Sequence, residues 1–286
     1  MVYKKWRELS VNLFDIKFKK IKLIKELNYP PAGNDVVECK VINNKKEENV
    51  FIKFERSKVS NFYTEYKNLN IINKYLEETP KVIEYGLYNG KKYIVLEKKN
   101  GKRLSEIFKS KVDKEKYLYT YGNMLSKIHN IKGKFNKALQ RPINDYPKGY
   151  KKYDSYSNKI ITWLKDNDIE KNYNTFIHGD FHYGNVLFRY KKISGILDLE
   201  YSGMGFKEQD IAWALILRPG QKFMDNLNDI KYFLKGYGIS YDFNKLKWCY
   251  INGSIHFYLM NLNNEEYKKK IKMLIDKIII LNNIEV

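Results

Sequence analysis

The sequence is poor in cysteine and lacks a long apolar run, and both shortages restrict the class of protein. Cys39 and Cys249 are its two cysteines, too few and too far apart in sequence for a disulfide framework or a cysteine-type zinc site. No run approaches the roughly 20 apolar residues that a membrane-spanning helix needs. The N-terminal stretch MVYKKWRELSVNLFDIKFKK interrupts its apolar residues with lysines and offers no signal-peptide cleavage site. We therefore expect a cytoplasmic protein with no membrane partner.

Acidic residues are also scarce relative to basic ones, which leaves a formal net charge of +20. Such a surface attracts nucleic-acid phosphates without regard to sequence. Lysines greatly outnumber arginines, however, and they are scattered along the chain among Asn, Ile and Tyr, as codon usage in an AT-rich genome produces. Because no single element concentrates arginine, lysine and aromatic residues, we expect no nucleic-acid partner, and a nucleic-acid binder is the third of the functions considered.

Low-complexity linkers and internal repeats are absent as well, and a change of character after residue 97 divides the chain. The first part contains the strand-like segments IKLIKELNY, DVVECKVIN, NVFIKFE, KVIEYGLY and KKYIVLE, one helical segment NFYTEYKNLNIINKYLEE, and a polar link NKKEE. Asn89-Gly90 is a strong hairpin signal. After KKNG the pattern is mainly helical. With 286 residues, two lobes are expected: residues 1–97 rich in strands, a hinge at 98–101, and a helical lobe at 102–286, with a ligand cleft between them.

The segment FIHGDFHYGNVLF (176–188) holds the most informative spacing. Asn185 follows Asp180 by five positions (185 − 180 = 5), and Asp198 follows Asn185 by thirteen (198 − 185 = 13). A transferred phosphoryl group needs a carboxylate that orients the acceptor hydroxyl, and Mg²⁺ that neutralises phosphate charge. Asp180 suits the first role. The oxygens of Asn185 and Asp198 suit a hard cation, which is why His178-x-Asp180-x-His182 is not interpreted as a zinc site.

These motifs, with GILDLEYSG and QDIAWAL, resemble the aminoglycoside phosphotransferase family, and the resemblance covers most of the chain. It implies an α+β protein-kinase-like fold, bilobal, with a small antiparallel N-lobe carrying one helix and a larger helical C-lobe. It also implies a kinase that transfers the γ-phosphate of ATP, or of GTP, to a small-molecule hydroxyl with Mg²⁺. Asp210 would support the catalytic loop, and His178 would be structural. HGD in place of His-Arg-Asp, and the lack of an Ala-Pro-Glu segment, argue against a protein substrate.

The same resemblance assigns nucleotide contacts in the N-lobe. Lys53, in VFIK, would contact the α- and β-phosphates, and Glu65 on the following helix would pair with it. The remaining predicted contacts come from the loop after the first strand and from the hinge: Gly33, Asn34, Val37, Glu97 and Lys99.

The sequence predicts classes of acceptor but does not identify the acceptor molecule. It does not indicate the oligomeric state. An aminoglycoside antibiotic is expected first, bound by carboxylates such as Asp154, Glu200 and Glu208. A choline-like acceptor is the alternative, with Trp248 and Tyr250 facing its ammonium group; otherwise Trp213 and Trp248 are interpreted as core residues. A catalytically silent kinase-like binding protein is the rival of another class. His182 has no assigned role.

Overall fold

The computed structural model describes residues 6–56, 60–110 and 112–284. Contacts group these residues into two compact units. The first contains the chain up to Asn100 together with Gly195–Tyr201, and the second contains Gly101–Ser194 and the chain from Ser202 onward. The sequence prediction assigned residues 195–201 to the C-lobe. They belong instead with the first unit, because Ile196 donates its N–H to the Glu78 carbonyl at 3.0 Å and Asp198 pairs with Lys53.

The first unit is built on an antiparallel sheet of five strands in the order β1-β2-β3-β5-β4, with one helix. The elements are β1 (Ile21–Asn28), β2 (Asp35–Asn43), β3 (Lys46–Phe54), α1 (Phe62–Ile72), β4 (Val82–Tyr88) and β5 (Lys91–Glu97). Alternate residues of β2 and β3, including Val37, Cys39 and Ile52, are fully buried in one core, as a sheet with one covered face requires. The predicted antiparallel sheet with one helix is confirmed.

Two tight hairpins connect these strands. Asn89 and Gly90 join β4 to β5 with φ of +48° and +75°, the pair of positive φ angles that a type I′ turn needs. Asn44 and Lys45 join β2 to β3 in the same way, with φ of +48° and +65°. The sequence prediction treated residues 44–48 as a polar link, whereas β3 already begins at Lys46. Residues 46–49 are polar because that end of the strand is exposed.

The second unit is mainly helical. Its elements are α2 (Leu104–Ile107), α3 (Lys114–His129), α4 (Ser155–Asp166), β6 (Thr175–Ile177), β7 (Val186–Arg189), β8 (Lys192–Ile196), β9 (Gly203–Gly205), α5 (Lys207–Leu215), α6 (Leu227–Tyr237), α7 (Phe243–Met260) and α8 (Glu265–Ile279). The last two residues of β8 are grouped with the first unit. The short strand β6 pairs antiparallel with β9, and β7 pairs with β8. A single-turn 3₁₀ helix, Pro142–Asn144, precedes α4.

Glycines bring α3 and α6 into close contact. A Cβ atom on Gly122 would stand 1.9 Å from the Phe233 carbonyl oxygen, and one on Gly236 would stand 1.9 Å from the Tyr119 carbonyl oxygen. Side chains at these positions would force the helix backbones apart. The close approach presses Tyr121 of α3 edge-on against Phe233, with 5.1 Å between ring centroids.

None of the helices within the described ranges is both long and apolar enough to cross a membrane. Cys39 and Cys249 are buried free thiols. Residues 1–5, which begin the segment considered above for a signal peptide, lie outside the described residues.

The chain segment before β1 is attached to the first unit through the buried carboxylate of Asp35. It accepts hydrogen bonds from the Ser10 N–H at 2.9 Å and from the Tyr29 hydroxyl, and it forms ion pairs with Arg7 at 3.1 Å and Arg56 at 2.9 Å. Burial alone would raise the pKa of Asp35, but these hydrogen bonds lower it from 3.8 to about 2. The carboxylate is therefore more stable ionised in the folded chain than in the unfolded chain.

We expect Asp35→Asn to lower the free energy of unfolding by roughly 3 kcal/mol at pH 7, because it leaves Arg7 and Arg56 without their buried partner. A carboxyl group with a depressed folded pKa stabilises the fold fully above its unfolded pKa, and this contribution is lost as pH falls through the folded pKa. The difference between wild type and variant, measured by urea unfolding, should thus shrink between about pH 4 and pH 2. Glu47→Gln, which removes the exposed Lys40–Glu47 pair, is the control and should cost less than about 1 kcal/mol. A difference that does not change with pH would contradict this account.

Candidate active site

The segment between β6 and β7 forms a tight loop around Asp180. The His182 N–H donates to the Asp180 carbonyl at 2.9 Å, and the Asn185 N–H donates to the His182 carbonyl at 2.9 Å. Gly179 has a φ of +76°, which a residue with a side chain rarely adopts. The ring of His178 is fully buried, and its Nδ1 accepts the Asp180 N–H at 3.2 Å. His178 thus binds the backbone of the loop.

Asp210, in the first turn of α5, fixes this loop by binding backbone N–H groups of the loop. Its two carboxylate oxygens accept the N–H groups of His178 at 2.9 Å and Gly179 at 3.0 Å. Nε2 of His129, at the end of α3, lies 3.1 Å from the same carboxylate. Burial alone would raise the pKa of Asp210, but the hydrogen bond and charge of His129 and His178 lower it below its usual value. Asp210 therefore links α3, α5 and the loop as an ionised group.

The carboxylate of Asp180 accepts hydrogen bonds on both oxygens. Oδ1 accepts the indole N–H of Trp213 at 2.8 Å. Oδ2 lies 3.2 Å from Nδ2 of Asn185 and 2.8 Å from Nη2 of Arg141. Only 11% of the Asp180 side chain is exposed. The orientation of this carboxylate is therefore set by three side chains, two of which lie far from it in sequence.

Two arginines lie against the ring of Trp213. The guanidinium carbon of Arg141 is 4.8 Å from the ring centroid and that of Arg218 is 4.6 Å from it. The sequence interpretation left both arginines unassigned and placed Trp213 in the core. A signal for Trp213 existed, because residues three apart on a helix share a face and Trp213 follows Asp210 by three positions on α5. Arg141 and Arg218 lie outside the helices and strands, so no periodicity indicated them.

In the first unit, the ammonium group of Lys53 lies between two carboxylates. Nζ is 2.7 Å from Oε2 of Glu65 on α1 and 2.9 Å from Oδ1 of Asp198. Burial alone would lower the pKa of Lys53, but Asp198, Glu65 and Glu200 raise it above its usual value. Burial raises the pKa of Glu65, whereas Lys53 lowers it. The lysine therefore keeps its charge although it is almost entirely buried.

The loop before β2 is fastened by side chains rather than shaped by glycine. Asn34 accepts the Ser60 hydroxyl at 2.6 Å and donates to Glu200 at 3.2 Å. A Cβ atom on Gly33 would meet nothing within 4 Å, so the surface at this position is open. Val37 is fully buried in the sheet core.

At the end of β5, the backbone N–H of Glu97 donates to the Lys81 carbonyl at 2.9 Å. That N–H is therefore engaged within the unit. The side chain of Lys99 donates to the Glu77 carbonyl at 2.8 Å. The contribution of Glu97 and Lys99 to nucleotide binding stays a prediction.

Three of the residues predicted to contact the acceptor have other partners in the second unit, and a fourth is buried within it. Asp154 caps α4 by accepting the Ser157 N–H at 2.8 Å, and it also accepts the Tyr258 hydroxyl. Glu208 is buried and accepts the Asp242 N–H at 3.1 Å. Trp248 and Tyr250 are buried on α7, and the Trp248 indole donates to the Leu164 carbonyl at 2.9 Å. These residues support helix ends and the core.

His182 does not combine with its neighbours into a metal site. Its Nδ1 accepts the Gly184 N–H at 3.1 Å, and its Nε2 lies 3.7 Å from Oδ1 of Asp180. Within residues 6–56, 60–110 and 112–284, no group of three or more His, Cys, Asp or Glu side chains is arranged to hold a metal ion.

Comparison with known proteins bears on the family and the fold of the chain. A model of the phosphotransferase enzyme family matches residues 41–247. No curated protein sequence matches the chain. The crystal structure of aminoglycoside phosphotransferase APH(4)-Ia is similar with 14% sequence identity and a TM-score of 0.59, over 93% of this chain and 94% of that one.

Two further solved structures show the same likeness. A thermostable mutant of APH(4)-Ia, in ternary complex with AMP-PNP and hygromycin B, is 13% identical with a TM-score of 0.60, over 90% of this chain and 94% of that one. A choline/ethanolamine kinase family protein from Mesorhizobium loti is 13% identical with a TM-score of 0.60, over 90% of this chain and 89% of that one. At these identities the likeness concerns the fold, and it confirms the predicted α+β protein-kinase-like class.

We expect Asp210→Asn to lower the free energy of unfolding by roughly 3 kcal/mol, because an amide cannot accept on both sides and leaves a buried loop N–H or His129 without its partner. Chemical denaturation measures the change. Asp166→Asn, at an exposed position of α4, is the matched control and should change stability by less than about 0.5 kcal/mol. Equal stability of the two variants would show that Asp210 does not hold the loop.

Proposed function

The chain belongs to the phosphotransferase enzyme family, and we propose that it transfers the γ-phosphoryl group of ATP, or of GTP, to a hydroxyl group of a small molecule. The observation that carries this proposal is the Asp180 carboxylate, nearly buried and oriented by Trp213 and Asn185 in a loop that Asp210 holds. A group that orients an acceptor hydroxyl must have a defined direction of its own. Binding alone would not require such an arrangement, so a catalytically silent protein is the weaker candidate.

Asp180 is suited to orient and deprotonate the acceptor hydroxyl. Its carboxylate would accept a hydrogen bond from the acceptor hydroxyl and align the hydroxyl oxygen with the γ-phosphorus. It would take the hydroxyl proton as the new P–O bond forms and the bond from the γ-phosphorus to the departing nucleoside diphosphate breaks. Asn185 and Trp213 would keep the carboxylate in that direction throughout.

Lys53 has the chemistry of a phosphate ligand. Its ammonium is held by Glu65 and Asp198 and keeps its proton, so it is ready to interact with the α- and β-phosphates of a nucleotide. The open surface at Gly33 allows a nucleotide to approach the loop backbone closely. The structural neighbour crystallised with AMP-PNP supports the assignment of a nucleoside triphosphate as the donor.

The oxygen donors of Asn185 and Asp198 fit Mg²⁺ better than zinc. Nδ2 of Asn185 donates to Asp180, which leaves Oδ1 as the cation ligand, and the Asp198 side chain remains 35% exposed although it pairs with Lys53. We assign these two residues as Mg²⁺ ligands, because oxygen donors suit a hard cation. When bound, Mg²⁺ would neutralise charge on the phosphates.

The acceptor class is a separate question. The sequence favours an aminoglycoside first and a choline-like compound second, and the neighbours crystallised with hygromycin B or named as choline/ethanolamine kinases support the same two classes. Of the acidic residues proposed for a cationic acceptor, Asp154 and Glu208 are engaged within the second unit and Glu200 within the first. The engagement of these carboxylates weakens the case for a polycationic acceptor.

The proposal is tested by incubating the protein with Mg-ATP or Mg-GTP and a panel of acceptors, namely aminoglycosides, choline, ethanolamine and homoserine together with a small-molecule cell extract. Mass spectrometry then detects any compound that gains one phosphoryl group. Asp180→Asn should lower turnover of that compound by roughly 10²–10⁴, while calorimetry shows unchanged affinity for Mg-AMP-PNP.

Asp166→Asn is again the control and should turn over like wild type. Wild-type turnover in Asp180→Asn would remove Asp180 from the mechanism. Activity with zinc in place of Mg²⁺, lost on mutation of His178 and His182, would overturn the metal assignment.

A further inference from the structure

Arg218 is a buried cation that has no acidic partner among the described residues. It is 9% exposed and donates to the carbonyl oxygens of Ile216 at 3.1 Å and Trp213 at 2.9 Å. Through the part of the chain that the structure describes, no carboxylate lies within ion-pair distance of it. Burial lowers the pKa of Arg218, while Asp180 is among the groups that raise it. An uncompensated buried charge costs free energy, so its retention beside the candidate catalytic residue calls for an explanation.

Arg141 supplies a second cation at the same place. Its guanidinium group lies over the same Trp213 ring as that of Arg218, and it pairs with Asp180 at 2.8 Å. The chain is rich in lysine and has few arginines. Composition bias therefore does not account for two of them on one tryptophan. Arginine differs from lysine in its planar fork of donors, which matches carboxylate and phosphate oxygens.

The cavities beside Trp213 are small, and their walls are mostly apolar with one cationic residue each. Two small cavities, here called the Trp213 cavities, share Asn144, Gln209 and Trp213 in their walls; Arg141 lines one of them and Lys171 the other. Among their described lining residues the one carboxylate is Asp210, whose oxygens are taken by His129 and the loop N–H groups. A cationic acceptor would find no available carboxylate among these lining residues.

From these observations we propose that the acceptor carries, besides the hydroxyl that is phosphorylated, a carboxylate or phosphate group that binds Arg141 and Arg218 beside the Trp213 ring. This inference rests on the proposed phosphotransferase function and names the acceptor class for it. The anionic group compensates the buried charge of Arg218. It also competes with Asp180 for Arg141, and so releases Oδ2 of Asp180 to accept the hydroxyl. Arg141 thereby couples recognition of the acceptor's charge to the availability of the base.

The first arm of the test uses acceptors matched in ring structure and different in charge: glucose, glucosamine, glucuronate and glucose 6-phosphate, together with the product identified from the cell extract. Acceptors with a carboxylate or phosphate should be used best, and the pair of anions distinguishes the two groups. Arg141→Gln should raise the KM of the anionic acceptor by roughly tenfold or more, and the KM of ATP should stay unchanged. Arg141→Lys should recover part of the affinity, because it restores charge without the fork of donors.

The second arm does not depend on knowing the acceptor. Inorganic sulfate is titrated into the protein saturated with Mg-AMP-PNP, and thermal unfolding reports its binding. Wild type and Arg189→Gln, a variant at an exposed position on β7, should be stabilised saturably, whereas Arg141→Gln and Arg218→Gln should lose this response. Arg141→Gln decides the result if Arg218→Gln does not fold.

Phosphorylation of a neutral or cationic compound in preference to the anions overturns the inference. So does an acceptor KM that does not change in Arg141→Gln, or a sulfate response equal in Arg141→Gln and Arg189→Gln. Failure of the proposed phosphotransferase function is distinguishable from failure of this inference. In that case, neither a phosphorylated product nor ATP hydrolysis would be detected with any acceptor. In that event the sulfate arm alone decides whether the anion site exists.

Discussion

The buried ammonium group of Lys53 is the interaction on which the first unit depends. It joins three parts of the chain that are distant in sequence, namely β3, α1 through Glu65 and the segment around Asp198. The Glu65 carboxylate would be costly to bury alone, and so would the lysine, whereas together with Asp198 they compensate one another. The result is a cation that cannot easily move or lose its proton, which is what a phosphate ligand needs.

The buried cations of the two units have different partners. Lys53 has the carboxylates of Glu65, Asp198 and Glu200 around it, whereas Arg218 has aromatic rings and carbonyl oxygens. A residue whose charge is compensated within the protein supports structure and binds a ligand as an added partner. A buried cation that has no carboxylate partner among the described residues indicates that the ligand supplies the opposite charge. This contrast is the physical basis for assigning the acceptor's anionic group to Arg218 and Arg141.

The sequence predicted those features that depend on local spacing. The hairpin at Asn89-Gly90, the alternation along β2 and the Asp180–Asn185 spacing are all local, and the first two are observed as predicted. Arg141 could not be predicted, because it precedes Asp180 by 39 positions (180 − 141 = 39) in a segment without regular structure. The contact of α3 with α6 depends on Gly122 and Gly236 meeting in space, which no periodicity indicates. Trp213 was missed although its place one turn after Asp210 pointed to the loop.

Isothermal titration of Mg-AMP-PNP into Lys53→Met tests the central claim, that this buried lysine is a phosphate ligand. The matched control is Lys46→Met, which removes an exposed lysine from the same strand, β3. With both variants folded by circular dichroism, we predict that Lys53→Met weakens binding by roughly tenfold or more and that Lys46→Met binds like wild type. Equal affinity of wild type and Lys53→Met would contradict the account, because Lys53 would then only hold the first unit together.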